Sequence, residues 1–359
     1  MINYFERRLK RIRDSLTEKQ VFFISLPEEV FYLTGFTGDG AYLLILNNAT
    51  YFITDGRYIE QAKIENKVAV SIEEIKPNRR LIQILATLLK DFNIGKLLLS
   101  EKDITVDFFE KLQKEMGKTP LSIEDSDFIK KMRSVKDPLE IEIIRQNLLL
   151  TELGYHYILR IIEIGKKEFE IATELEYFLK KQGAKRMAFE TIVASGFRGA
   201  LPHGSASDKQ IMDNEVIILD FGVFKDGYAS DFTRCYYSGK IIDLKIKEIH
   251  KVVKEALKEA EAFIKPGVFA REVHERAFSV IEKNGYGAYF NHSTGHGVGL
   301  QVHELPAISS SEDTILEEGM VFTVEPGIYI PGMGGIRLED MVLVKPHGYE
   351  VLTQSDYDL

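Results

Sequence analysis

The sequence predicts an α+β protein of two domains, a small mixed α/β domain over residues 1–125 and a larger domain over residues 126–359 that repeats itself about a pseudo-twofold. Three observations predict it. In the first third, short apolar runs alternate with helix-periodic segments. Around residues 124–137 the composition turns polar and charged. Beyond that stretch, the order helix, helix, hairpin occurs twice.

In chain order, residues 21–25, 41–46, 51–54 and 96–100 are short apolar strands, and 78–92 and 106–116 have helical periodicity. No phosphate loop or catalytic cluster lies among them. Asp137-Pro138 is an N-cap followed by proline at the first helical position, so a long helix is expected over about 138–163. A helix near 168–182 and a strand at 191–194 lead into the first hairpin. There, the apolar runs 216–220 and 229–237 flank Asp226-Gly227, a two-residue turn signal. Helices near 244–264 and 270–284 lead into the second hairpin, whose runs 320–325 and 336–344 flank a glycine-rich turn at 331–335.

At 359 residues the chain can hold two domains and a sizeable core. A hydrophobic content of 45% and a charged content of 28% are ordinary for a globular protein. The net charge of −9 comes with no compensating basic block, which argues against nucleic acid or an anionic membrane as partner. Arg7, Arg8, Lys10 and Arg11 form a short basic cluster, but no apolar secretory core follows them. No run approaches the ~18 apolar residues that span a bilayer. A single cysteine, Cys235, suits a reducing cytosol, so a cytoplasmic location is expected; Cys235 itself belongs to a hairpin strand as core packing.

The hairpins carry the chemistry. Folding the chain at Asp226 brings Asp231 roughly opposite Asp220, and folding it near 332 sets Glu325 against Glu339. Like charges facing each other destabilise a sheet, so the pairs need a shared proton or a cation between them. Four carboxylates and one imidazole exceed a proton-sharing dyad. The inventory fits two bridged divalent ions, which lie roughly 3.5–4 Å apart in such sites.

The imidazole comes from Asn291–Gly299, where His292 and His296 are four apart. Glycines at 295, 297 and 299 oppose a helix, so His296 is the expected ligand and His292 its support. The same glycines lack the strand–helix context of a dinucleotide loop. His203, in Leu201-Pro202-His203-Gly204, and His303, in Val302-His303-Glu304, sit where glycine and proline can fix loops beside the site. Both are candidates to hold a carbonyl and move a proton.

Together these motifs resemble the pita-bread metallopeptidases, which include methionine aminopeptidases, Xaa-Pro aminopeptidases and prolidases. The resemblance rests on Leu-Pro-His203-Gly, Leu-Asp220-Phe-Gly, Ser-Asp231-Phe-Thr-Arg, Gly-His296-Gly-Val-Gly, Val-His303-Glu, Val-Glu325-Pro-Gly and Arg337-Leu-Glu339-Asp. In the first domain, Tyr32–Gly38 and Thr54–Gln61 resemble the extra domain of the proline-directed branch. The resemblance implies that Asp231 and Glu339 bridge both metals, that His296 and Glu325 complete one shell, and that Asp220 binds the other ion. It implies that Glu325 shuttles a proton, that His303 supports the carbonyl, and that His203 contacts substrate near the scissile nitrogen. Arg337 would orient ligands or substrate, or serve as a counter-ion to Glu339 or Asp340.

Oxygen and nitrogen ligands without thiolate leave Mn, Co, Fe and Zn all open; the resemblance implies Mn or Co. Substrates would be small proline-containing peptides, and the family implies a homodimer in which the first domain walls the partner's site. A strict dipeptidase needs a cation for the proline carboxylate. No Lys or Arg lies between Glu304 and Glu325. The expectation is therefore an Xaa-Pro aminopeptidase, with a strict Xaa-Pro dipeptidase (prolidase) as the alternative. A creatinase-like hydrolase or a metal-free pseudo-enzyme is a remote third, since both have lost ligands that are all present here.

Overall fold

The alternating apolar runs of the first third become a six-stranded sheet in the computed structural model, which describes residues 3–100, 104–240 and 243–359. The chain divides between Met132 and Arg133 into two compact units. In the first, the strands lie in the order Ser71–Ile75, Thr50–Asp55, Ala41–Ile45, Gln20–Ile24, Lys96–Leu99, Ser122–Asp125. The four inner strands are the apolar runs expected from sequence. The two edge strands, Ser-Ile-Glu-Glu-Ile and Ser-Ile-Glu-Asp, carry charges that hide them from an apolar-run reading and discourage edge-to-edge pairing. Helices Leu81–Asp91 and Val106–Met116 bury Leu85, Leu89 and Leu112 against Val21, Phe23 and Leu97 of the sheet. Each such burial stabilises by about 1.5–3 kcal/mol.

In the second unit, Asp137 caps the helix Pro138–Ile158, accepting from Leu139 N at 3.0 Å and Glu140 N at 3.1 Å, with proline at the first position. The predicted order then appears twice. Helices Pro138–Ile158 and Glu168–Lys181 precede the first hairpin, and Leu244–Phe263 and Ala270–Lys283 precede the second. The fold is α+β with the expected internal repeat.

Each hairpin changes sheet partway along. Val216–Asp220 pairs with Thr233–Tyr237 and with Ile192–Ser195, then Val223–Lys225 pairs with Tyr228–Ala229 in a separate sheet. The turn is Asp226-Gly227, with φ of 51° and 87°, as a two-residue mirror-image turn requires. In the second hairpin, Val321–Val324 pairs with Asp340–Lys345 inside a five-stranded sheet, and Gly327–Ile330 pairs with Gly334–Arg337 in a sheet of two. Backbone pairing is therefore interrupted twice, and the four carboxylates flank the interruptions. At the first, a side chain at Gly222 could not fit, because a Cβ there would lie 1.9 Å from Ser230 O.

Behind the hairpins, Arg234 is fully buried and ties the chain's final segment to the second hairpin. It donates to Ser355 O at 2.8 Å, to Asp356 O at 2.9 Å and to Glu339 O, and pairs with Asp340 at 2.9 Å. Glu152 accepts from Gln354 N at 2.7 Å and Ser355 N at 2.5 Å.

Candidate active site

Register decides which carboxylates meet. Val324 pairs with Asp340 and Gly327 with Arg337, which brackets Glu325 and Glu339 at opposing positions, as the midpoint argument predicts. In the first hairpin Asp220 pairs with Thr233, not Asp231. Asp231 is displaced by two residues into the bend at Gly222. A two-residue offset keeps it on the same face as Asp220, so the expected opposition becomes a diagonal neighbourhood. Oxygens of Asp220, Asp231 and Glu339 all lie within 4.8 Å of one another.

His296 comes from a three-residue strand, Gly295–Gly297, between Glu304–Ile308 and Val321–Val324. Its flanking glycines have a steric reason. A Cβ at 295 would sit 1.9 Å from Thr323 O, and one at 297 would sit 2.2 Å from Leu305 O. Only glycine lets this strand slot between its neighbours. His296 Nε2 lies 3.3 Å from Glu325 Oε1 and 3.5 Å from Asp231 Oδ2. His292 is further back, with Nε2 2.9 Å from Tyr329 Oη.

The electrostatics of this cluster are those of a cation site. Burial, then the charges of Glu339 and Asp220, push the Asp231 carboxyl well above its usual range. Burial, then Glu325 and Asp220, do the same to Glu339. Asp220 is also raised, by burial, against the opposing pull of Arg337. Burial would raise Glu325 too, but the hydrogen bond and charge of His296, with His292 and Arg337, outweigh it and hold Glu325 at about 2. Asp220 Oδ1 and Glu339 Oε1 are buried with no hydrogen-bond partner. A buried carboxylate oxygen without a donor is costly, and a divalent cation is the partner such oxygens fit. Oxygen donors with one imidazole suit Mn, Co, Fe or Zn.

Around the carboxylates stand two hydroxyls and a tyrosine that the sequence alone did not single out, and Arg337, which it did. Thr233 donates to Glu339 at 2.7 Å, and Thr323 Oγ1 accepts from His296 N and donates to Glu325, both at 3.1 Å. Arg337 is buried and donates to Asp220, to Tyr329 Oη at 2.9 Å and to Pro202 O at 3.2 Å. Of the two counter-ion partners considered from sequence, Asp340 is instead met by Arg234. Hydroxyls and a tyrosine distant in sequence leave no local motif, which is why they escaped notice.

His203 and His303 line the same cleft of about 560 Å³ as Asp220, Asp231, His296, Glu325 and Arg337. Phe189, Ile192, Pro202 and Ala307 give it an apolar wall. The His303 ring is centred 4.2 Å from that of His296, and burial, then the charges of His296 and His203, lower its pKa. Next to it, Glu304 is buried and pairs with Arg133 at 2.9 Å and Lys136 at 2.8 Å, anchoring the bend that carries His303. Cys235 packs in the core, its thiol donating to Arg337 O at 3.3 Å and pushed up to about 11 by burial.

Residues 142–346 match the model of metallopeptidase family M24, and residues 8–135 match the creatinase/prolidase N-terminal domain. The chain belongs to metallopeptidase family M24. A protein of Pyrococcus horikoshii named Xaa-Pro dipeptidase is 37% identical over 100% of both chains. The solved structure of an Xaa-Pro dipeptidase from Bacillus anthracis is 36% identical, with a TM-score of 0.93 over 99% of both chains. That of an X-Pro aminopeptidase from Thermotoga maritima is 39% identical, with a TM-score of 0.88 over 96% of this chain and 98% of that one. Membership of M24 makes the chain a hydrolase with the pita-bread fold and implies use of divalent metal. Among the described residues no helix is long and apolar enough to cross a membrane.

Proposed function

We propose that the chain hydrolyses the bond between an N-terminal residue and a following proline, acting as an Xaa-Pro dipeptidase. The relatives' names support this alternative more than the aminopeptidase expected from sequence. The observation that carries the chemistry is the buried carboxylate cluster with its two unpartnered oxygens.

Asp220, Asp231, His296, Glu325 and Glu339 would hold two divalent ions. When bound, the pair supplies Lewis acidity toward water and the scissile carbonyl. The protein's own groups do the rest. The apolar wall of Phe189, Ile192, Pro202 and Ala307 suits a pyrrolidine ring. Glu325 accepts a proton and passes it on. His303 is kept neutral by burial and by His296, so its N–H can donate to the carbonyl oxygen. His203 meets the substrate near the leaving nitrogen. Arg337 keeps Asp220 in place from behind.

One observation favours the aminopeptidase as a second reading. Among the described residues that line the cleft, Arg337 alone is cationic, and it is engaged by Asp220 and Tyr329. A dipeptide's C-terminal carboxylate thus finds no spare cation there. Assays with Mn²⁺ on Ala-Pro, Ala-Pro-Ala and Ala-Ala-Ala separate the two. Cleavage of Ala-Pro alone supports the dipeptidase, and efficient cleavage of Ala-Pro-Ala overturns it in favour of the aminopeptidase. Hydrolysis of neither, with no Mn²⁺ bound, removes the proposal altogether.

A further inference from the structure

Glu168 opens the helix Glu168–Lys181 and is fully buried, yet lines neither hairpin. Its Oε1 accepts from Ser195 N and Ser195 Oγ, both at 2.8 Å. Its Oε2 accepts from Arg198 Nε at 2.9 Å, from Ser207 N at 3.1 Å and from Ser207 Oγ at 2.6 Å. One carboxylate thus gathers donors from both ends of a single loop. Arg198 closes the ring by donating Nη2 to Ser205 O at 2.6 Å. The first N–H groups of the helix join in, Glu168 N to Lys209 O at 3.0 Å and Phe169 N to Ser207 O at 3.1 Å, as unpaired helix-terminal donors do.

The loop so gathered carries Pro202 and His203 on the cleft wall, with the His203 side chain exposed. Its middle is held by its own turn, with Leu201 N donating to Arg198 O at 2.9 Å, and by Arg337 on Pro202 O at 3.2 Å. Glu168 is what ties its two ends together, in a segment that Gly196, Gly199 and Gly204 punctuate. We infer that Glu168 is a positioning residue for hydrolysis, fixing the 196–207 loop so that His203 faces the substrate.

The catalytic half of this inference rests on the proposed function; the loop-anchoring half does not. Charge matters to the anchoring. Glu168→Gln keeps the volume but turns an NH₂ toward either two or three existing donors, so one end of the loop loses its acceptor. Arg198→Ala is a milder break, because the Arg198 side chain is partly exposed.

The test uses the full chain loaded with Mn²⁺. Backbone hydrogen exchange of residues 196–207 is measured in wild type, Glu168→Gln and Arg198→Ala. Alongside, kcat and KM on Ala-Pro and Ala-Pro-Ala are measured for these, for His203→Ala and for the Glu168→Gln/His203→Ala double variant. We expect exchange in the loop to rise at least about tenfold in Glu168→Gln, and less in Arg198→Ala, with the Mn²⁺-induced rise in Tm unchanged. We expect kcat/KM to fall about 10- to 100-fold, with no further fall when Glu168→Gln is added to His203→Ala. Unchanged loop exchange overturns the inference, as do effects of Glu168→Gln and His203→Ala that multiply. If Glu168→Gln does not fold, the same readings on Arg198→Ala decide. A wild type that cleaves neither peptide removes the proposed function, while the exchange data still decide whether Glu168 holds the loop.

Discussion

Replacing Glu339 by glutamine should make the metal-free protein more stable. Its carboxylate is buried, with oxygens of Asp220 and Asp231 within 4.8 Å. At an effective dielectric near 20, two like charges at that distance repel by about 3.5 kcal/mol. Proton uptake relieves part of this, because burial and the neighbouring charges of Glu325 and Asp220 already raise the Glu339 pKa. About 1–3 kcal/mol should remain to be released at pH 8. Glutamine keeps the volume and an acceptor for Thr233. A unit of this size gains about 2–4 °C per kcal/mol, so the EDTA-treated variant should melt roughly 2–12 °C above wild type. Mn²⁺ acts in the opposite direction. At one hundred times Kd it should stabilise wild type by about 2.7 kcal/mol, and the variant should lose most of that gain along with its activity. Calorimetry of both proteins at pH 8, with EDTA and with Mn²⁺, checks this. A variant that melts below wild type in EDTA yet keeps the full Mn²⁺ shift would refute the claim that these carboxylates are arranged for a cation.

Other outcomes follow from the same geometry. Asp231 and Glu339 titrate above their unfolded values near 4. Their stabilising contribution is therefore present below that pH and lost as pH rises through the raised range. Metal-free Tm should fall over that window while the Mn²⁺-induced shift grows, as melting scans from pH 5 to 8 would show. Glu304→Gln should cut kcat at least about tenfold while leaving the Mn²⁺ shift intact, because it loosens Arg133, Lys136 and the bend bearing His303 but no proposed ligand; parallel kinetics and thermal shifts test it. Gly295→Ala places a Cβ 1.9 Å from Thr323 O and should cost about 3 kcal/mol or more, read by urea unfolding. Cys235→Ala should retain activity, and the native thiol should resist a thiol reagent at pH 8 until the chain unfolds, since burial holds it near 11.

The parts visible in the sequence were those written in local periodicity. Alternating apolar residues, the Asp137-Pro138 cap and the Asp226-Gly227 turn each announce one element through nearest-neighbour physics. The Glu325–Glu339 opposition was recoverable because the second hairpin keeps one register across its gap. The first hairpin also keeps its register, and the two-residue turn at Asp226-Gly227 already pairs Asp220 with Thr233; what turn chemistry does not encode is the bend at Gly222, which depends on contact with Ser230. The charged edge strands Ser71–Ile75 and Ser122–Asp125 were hidden because their pairing is supplied by the sheet. Glu168 and Glu304 were illegible for a further reason. Each earns its place through partners that meet it only after the chain has folded, so nothing beside it in sequence marks it out.

Arg234 lies three residues after Asp231 and grips both the carbonyl of Glu339 and those of Ser355 and Asp356. The clasp that steadies a proposed bridging residue is therefore made from residues synthesised after both hairpins. During synthesis, both hairpins can exist before this clasp can close. Cation uptake with full strength therefore waits on residues 355 and 356, and a chain truncated before residue 355 should keep both hairpins but hold Mn²⁺ more weakly.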